Sequence, residues 1–209
     1  MMNDTINDHH GPGKMRFLVL SDIHYPVTDK MELSNIIRQA KADKVVFLGD
    51  NVQDDRYVGE FLEVVRSAGC RDCTFLLGDE DAGIPGKRYH EVTVGNRRLI
   101  FTHGNQFNIS SEKSTKRFAR ALKKIHRLLP VLAFVVSAKV RTRTDSGYLI
   151  LGHSHALAFF PRLRVGCAGC LTTKKNVYSE RGYIIVDVGE DQVSLSTIAL
   201  DGPRHTFVL

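Results

Sequence analysis

The sequence predicts an α/β fold in which two packed sheets carry helices on their outer faces. Three observations carry that expectation. Apolar runs and breakers alternate in a strand–helix rhythm over residues 15–77. From residue 89 onward the rhythm turns to shorter, strand-like runs joined by turns. Finally, aspartate and histidine recur just after the apolar runs, where a sheet collects its ligand-binding groups.

Residues 15–20 read as a buried strand and residues 31–41 as a helix, with Met31, Leu33, Ile36, Ile37 and Ala40 near helical spacing. Residues 44–48 are the next strand. Residues 55–68 are the next helix, stopped by Gly69, and residues 74–77 a third strand. Such a β-α-β-α-β run implies a parallel sheet with right-handed crossovers. Residues 89–94 and 97–102 flank Gly95-Asn96 and make a hairpin. Residues 148–151 are strand-like, and 157–165, 182–188 and 192–199 follow as expected antiparallel strands. A parallel half followed by an antiparallel half predicts the two packed sheets.

Between them, residues 111–144 read as helical. Phe118, Leu122, Ile125 and Leu129 form an apolar stripe opposite Lys113, Lys116, Arg117, Arg120, Lys124 and Arg127. Pro130 then opens a nearly all-apolar segment, 131–136. The expectation is an amphipathic helix packed on the domain beside a buried one. A lid or platform near the site, basic toward an anionic or lipid-linked substrate, is compatible with that packing.

A chain of 209 residues fits one domain and buries a full core without cysteine staples. The predicted division is a disordered lead-in over residues 1–14 and a domain over residues 15–209, with the basic helical insertion at about 111–144. No apolar run approaches the ~20 residues that span a bilayer, and residues 1–14 lack a hydrophobic signal core, so the expected location is cytoplasmic. The net charge of +6 is concentrated: ten Lys or Arg and no Asp or Glu lie from Lys113 to Arg143. Cys70-x-x-Cys73 and Cys167-x-x-Cys170 have the pairwise spacing of a zinc site, but 93 residues separate the pairs, far beyond a compact module. Zinc, buried thiols and local disulfides all stay open.

Five polar clusters carry the chemistry: Asp22-x-His24, Gly49-Asp50, Gly78-Asp79-Glu80-Asp81, His103-Gly104 and Gly152-His153-Ser154-His155. Each follows an apolar strand, so the fold brings them to one edge. Three carboxylates and four imidazoles exceed the needs of one ion and suit two divalent cations sharing a bridging carboxylate. Mixed oxygen and nitrogen donors favour Mn²⁺, Fe or Zn²⁺ over Mg²⁺ or Ca²⁺. Two such metals ~3.5–4 Å apart hold a bridging hydroxide and clamp an in-line phosphoryl displacement.

As an ordered set these motifs resemble the calcineurin-like metallophosphoesterase family, over residues 15 to about 188. The resemblance implies a four-layer α/β/β/α sandwich of two mixed sheets. It implies that Asp22, His24 and His155 bind one metal, that Asp50 bridges, and that Asp79, His103 and His153 bind the other. One block departs: the family's usual Gly-Asn-His-Asp or Glu reads here with Asp79 for the Asn and Glu80 for the His that contacts the phosphoryl group. Glu80 either acts as a general acid with a raised pKa or points away. In this block the chain is also similar to the retromer scaffold subunit of the same fold, a protein-binding platform. The insertion is similar to the cap of the UDP-diacylglucosamine pyrophosphohydrolases.

The function this implies is hydrolysis of a phosphodiester or pyrophosphate by a hydroxide bridging two divalent metals, manganese first, with iron, zinc or nickel as the others. Glu80 and His153 are the candidate catalytic residues, and Lys113, Arg117 and Arg120 the candidate substrate contacts. The expected partner is a phosphorylated small molecule, nucleotide or lipid-linked phosphate. Peripheral membrane contact stays open, and nucleic-acid binding through the basic insertion is the lesser expectation. The alternative is a protein-binding scaffold of the same fold with a retained metal site.

Overall fold

Six residues without a turn former, Met15–Leu20, make the strand around which the first sheet assembles, β1. The computed structural model describes residues 14–81, 83–107, 112–144 and 147–209; the lead-in expected over residues 1–14 lies, Lys14 apart, outside the described residues. After β1 come α1 (Lys30–Ala40), β2 (Lys44–Phe47), α2 (Val58–Ser67) and β3 (Cys73–Phe75). The hairpin β4 (Tyr89–Val94) and β5 (Arg97–Thr102) is followed by α3 (Glu112–Ile125) and α4 (Leu129–Thr142). The chain closes with β6 (Tyr148–Leu151), β7 (Leu157–Phe160), β8 (Val165–Ala168), β9 (Gly182–Val188), β10 (Val193–Ala199) and β11 (Arg204–Val208).

Two mixed sheets result, ordered β11-β10-β9-β1-β2-β3 and β4-β5-β6-β8-β7. Strand pleating sorts β1 between two cores. Leu18 and Leu20 pack with Leu33 and Ile37 of α1 and Phe61 of α2, whereas Phe17 and Val19 meet Phe101 and Ile150 in the layer between the sheets. On the far side of the second sheet, Ile100 and Leu149 pack under Val131, Val135 and Ala138 of α4. Each face of both sheets is therefore covered, giving four layers.

The predicted β-α-β-α-β unit is present, with β1, β2 and β3 parallel. Asp29 caps α1 by accepting from Met31 N at 2.8 Å and Glu32 N at 3.0 Å, worth about 1 kcal/mol. The division into a parallel half and an antiparallel half does not map onto the two sheets. Strand β9 lies antiparallel beside β1, while β6 runs parallel to both β5 and β8. A late strand joins whichever sheet edge still offers unpaired backbone groups, so chain order does not decide sheet membership.

Three other expectations change. The single strand read over residues 157–165 is two antiparallel strands, β7 and β8, around a turn at Pro161–Leu163. Pro161 offers no N–H to a ladder, and Arg164 takes a left-handed φ of 54°. Strand β11 was not read at all, because its five residues are mostly polar and exposed on an edge. The apolar stripe is packed only in part: Leu122 and Leu129 are half-buried, but Phe118 is 57% and Ile125 75% exposed, and α4 supplies the buried residues beneath. The cysteines form no metal group among the described residues. Cys70 and Cys73 are bonded to each other, and Cys167 and Cys170 are separate buried thiols.

Candidate metal centre

Loops leaving the carboxyl ends of β1 and β2 run side by side, because their backbones hydrogen-bond as a continued ladder. Asp22 N donates to Gly49 O at 3.0 Å, His24 N to Asp50 O at 2.8 Å, and Tyr25 N to Asn51 O at 2.9 Å. The loop after β3 is fastened by Asp81, whose carboxylate accepts from Asn51 N at 2.7 Å and Gly78 N at 2.9 Å. The approach is so close that a Cβ on Gly78 would stand 2.1 Å from Asp50 Oδ1, and Gly49 turns with φ +125°. Only glycine satisfies both demands.

Strain collects at the same place. Of the eight non-glycine residues with positive φ among the described residues, five are Asp22, His24, Asp50, His153 and His155; the other three are Lys41, Arg143 and Arg164. A left-handed residue of this kind costs about 1 kcal/mol or more. The surrounding ladder and core hold five in one cluster, which marks a site where side-chain direction matters more than backbone ease.

All seven sequence-predicted candidate ligands meet here. Asp22, His24 and His155 form one group of converging ligand atoms, and Asp79, His103 and His153 form another, each within 4.8 Å of one another. In the first, Asp22 Oδ1 lies 3.1 Å from His155 Nε2. In the second, His153 Nδ1 lies 3.3 Å from His103 Nε2 and 3.4 Å from Asp79 Oδ2. Asp50 Oδ2 stands between the groups, 4.0 Å from His24 Nε2 and 3.5 Å from His103 Nε2.

The donor set fits divalent cations on two further counts. Asp22 Oδ1, His103 Nδ1 and His155 Nδ1 are buried without a hydrogen-bond partner among the described residues, and for Asp22 Oδ1 an aligned cation would supply what is missing. Electrostatics point the same way. Burial works against a charged His103, but its hydrogen bond to Asp50 and the charges of Asp22, Asp50 and Asp79 outweigh it and hold the imidazole up to about 9. Burial and the charge of His103 push His153 down. Asp22 and Asp50 are held low despite burial, Asp22 by contact with His155 and the charge of His103, Asp50 by its hydrogen bond to His103 and that residue's charge. The carboxylates thus draw positive charge into a buried place.

Glu80 does not reach toward the space between the two groups. Its Oε2 lies 2.9 Å from His24 Nδ1 and 3.4 Å from Lys174 Nζ, and its backbone N donates to Asp50 Oδ1 at 3.0 Å. With Nδ1 facing Glu80, His24 turns Nε2 toward Asp50. Above the cluster opens a cavity of about 390 Å³, walled by Lys116 and Ala119 of α3, Phe134 of α4, and residues 174–178. Lys123 Nζ bonds Val177 O and lies 4.5 Å over the Tyr178 ring, which ties α3 to that wall. Lys113, Arg117 and Arg120 are exposed and do not line the cavity. The cations beside it are Lys116, Lys174 and Lys175. Sequence reading had no signal for Lys174 and Lys175, which lie in a loop of Thr and Lys with no apolar frame. Lys116 lay in the same basic face as Arg117, and only the helix direction separates them.

Residues 15–191 match the Calcineurin-like phosphoesterase superfamily domain. No curated protein matches the chain. Among solved structures, wild-type Vps29 from Entamoeba histolytica complexed with zinc is 16% identical with a TM-score of 0.61, covering 93% of this chain and 98% of that one. A predicted phosphoesterase from Streptococcus pneumoniae is 14% identical with a TM-score of 0.58, covering 94% and 98%. YfcE, a phosphoesterase from E. coli, is 18% identical with a TM-score of 0.51, covering 90% and 94%. At these identities the likeness is one of fold.

Proposed function

The chain belongs to the calcineurin-like phosphoesterase superfamily, and we propose that it is a metal-dependent hydrolase of phosphodiesters or pyrophosphates. The observation that carries this reading is the pair of three-residue ligand groups joined by Asp50 at the floor of an open cavity. Asp22, His24 and His155 would hold one divalent cation and Asp79, His103 and His153 the other, with Asp50 placed to serve both. When bound, the cations, manganese foremost, supply Lewis-acid stabilisation and an activated water at neutral pH.

The chain's own residues do the rest. Glu80 is a positioning residue: by facing His24 Nδ1 it fixes the ring so that Nε2 points inward. We read it so in place of a general acid because its carboxylate lies against His24 Nδ1 and Lys174 Nζ. Lys174 and Lys175 offer positive charge to the substrate phosphate from one wall. His153, pushed toward neutrality, orients against Asp79 and faces the space where charge develops. Phe134 and Tyr178 give an apolar wall that suits a bulky group on the far side of the phosphorus.

Purified protein supplied with Mn²⁺ is expected to hydrolyse bis-p-nitrophenyl phosphate, and chelation is expected to abolish turnover. Absence of turnover with Mn²⁺, Ni²⁺, Co²⁺ and Zn²⁺ across diesters, nucleotides and pyrophosphates would refute the reading. The second reading, a binding scaffold with a retained metal site, is supported by the likeness to Vps29. It predicts that Asp50→Asn lowers metal content with no activity to lose.

A further inference from the structure

Nine large apolar side chains are strongly exposed among the described residues, and six of them lie on the α3–α4 hairpin: Phe118, Ile125, Leu128, Leu132, Val136 and Val140. Helix α4 commits Val131, Val135 and Ala138 to the core, which turns Leu132, Val136 and Val140 outward. Exposed apolar surface of this concentration is uncommon on a chain that stays in water alone. Charge accompanies it. Lys113, Arg117, Arg120 and Lys124 are exposed on the face of α3 opposite Phe118 and Ile125, and no acidic residue lies from Lys113 to Arg143.

We infer that the α3–α4 hairpin is a docking surface for an anionic lipid bilayer. Three candidates compete for such a face, and the charge pattern separates them. A second copy of this chain would set two cationic hairpins against each other, with no carboxylate from Lys113 to Arg143 on either to offset the repulsion. A nucleic acid would satisfy the lysines and arginines but leave Phe118, Ile125 and Val140 in water. An anionic bilayer takes both: apolar side chains enter the headgroup boundary, while long cationic side chains reach the phosphates beside them. None of the described helices is long and apolar enough to span the membrane, so the contact is at its surface. The inference goes beyond the hydrolase reading and does not depend on it, since lipid binding is read without metal or substrate.

The test is co-sedimentation of the full chain with vesicles of phosphatidylcholine alone and of phosphatidylcholine mixed with phosphatidylglycerol. Binding is expected to the mixed vesicles only, and to weaken as salt is raised. The triple variant Phe118→Ser, Ile125→Ser, Val140→Ser is expected to lose binding about tenfold or more. Its melting temperature and its turnover of soluble bis-p-nitrophenyl phosphate should stay unchanged. Lys113→Glu with Lys124→Glu should weaken vesicle binding by a similar factor. Equal binding by the variants, or none by the parent chain, overturns the inference. So does a parent dimer that the triple variant splits into monomers, or binding to duplex DNA at the affinity seen for mixed vesicles.

Discussion

The ligand loops and the α3–α4 hairpin both present charged side chains, yet the fold treats them oppositely. At the loops, Asp22, His24, Asp50, His103 and His155 are buried, joined by a backbone ladder, and five residues of the cluster are held in left-handed conformations. At the hairpin, the backbone is regular helix, most of the charges are exposed, and Phe118 and Ile125 of α3 face water. The first region spends packing and hydrogen bonds to aim a few atoms. The second is fastened by one buried row of α4 and by contacts to the 174–178 loop, and it leaves the rest of its surface available. A dense polar cluster inside a fold and an exposed apolar stripe outside it are both departures from ordinary burial, and each points to a ligand.

The largest expected effect tests whether chemistry resides only in the loops. Asp50→Asn should lower kcat/KM about a thousandfold or more, the several kcal/mol that a lost bridging carboxylate withdraws from the transition state. The hairpin triple variant should leave it unchanged, and a comparable loss there would erase the distinction. Next, packing contrasts the regions directly. Phe101→Ala, between the sheets and fully buried, should cost about 3–5 kcal/mol in urea unfolding. Phe118→Ala should stay within about 0.5 kcal/mol, and a larger cost would mean that the stripe is packed after all.

A smaller effect concerns Glu80. Glu80→Gln keeps the shape but weakens the acceptor for His24 Nδ1, and Mn²⁺ affinity by titration should fall about 10–100-fold. An unchanged affinity would leave Glu80 outside the machinery. The smallest expected effect reads how firmly α4 is seated. Burial pushes the Cys167 and Cys170 thiols up to about 12 from an ordinary 9.0. Because the folded values are raised, stability is unaffected below about pH 9. It falls as the pH rises from 9 toward 12, by about 1 kcal/mol per thiol near pH 10. Urea unfolding against pH checks the slope. Cys167 packs beneath α4, so its alkylation near pH 8 should proceed at the rate of global unfolding. Faster labelling would show α4 lifting on its own.

Much of the fold was legible because burial on both faces writes itself as an unbroken apolar run, and a half-exposed hairpin strand as alternation up to its turn. Met15–Leu20, Tyr89–Val94, Arg97–Thr102, Tyr148–Leu151 and Gly182–Val188 have the bounds read from sequence. Strand β11 was not legible, since an exposed edge strand asks for no apolar residue. The turn at Pro161–Leu163 was hidden by the apolar residues on either side of it. At the site, the seven candidate ligands were legible as polar punctuation after strands. Lys174 and Lys175 were not, because a loop lysine carries no periodicity and only the return of the chain after β8 brings it over His24.

The sequence by itself determined which residues converge, starting from Asp22 and His24. A strand buried on both faces can release polar side chains only at its end, and parallel strands put those ends on one edge. It also determined the family. Tertiary structure alone decided that Glu80 turns to His24 and Lys174, and that Lys116 rather than Arg117 faces the cavity. It alone decided that Phe118 and Ile125 of α3 look outward. Those outcomes depend on how distant segments pack against one another, and a pattern along the chain specifies a helix face without specifying what that face will meet.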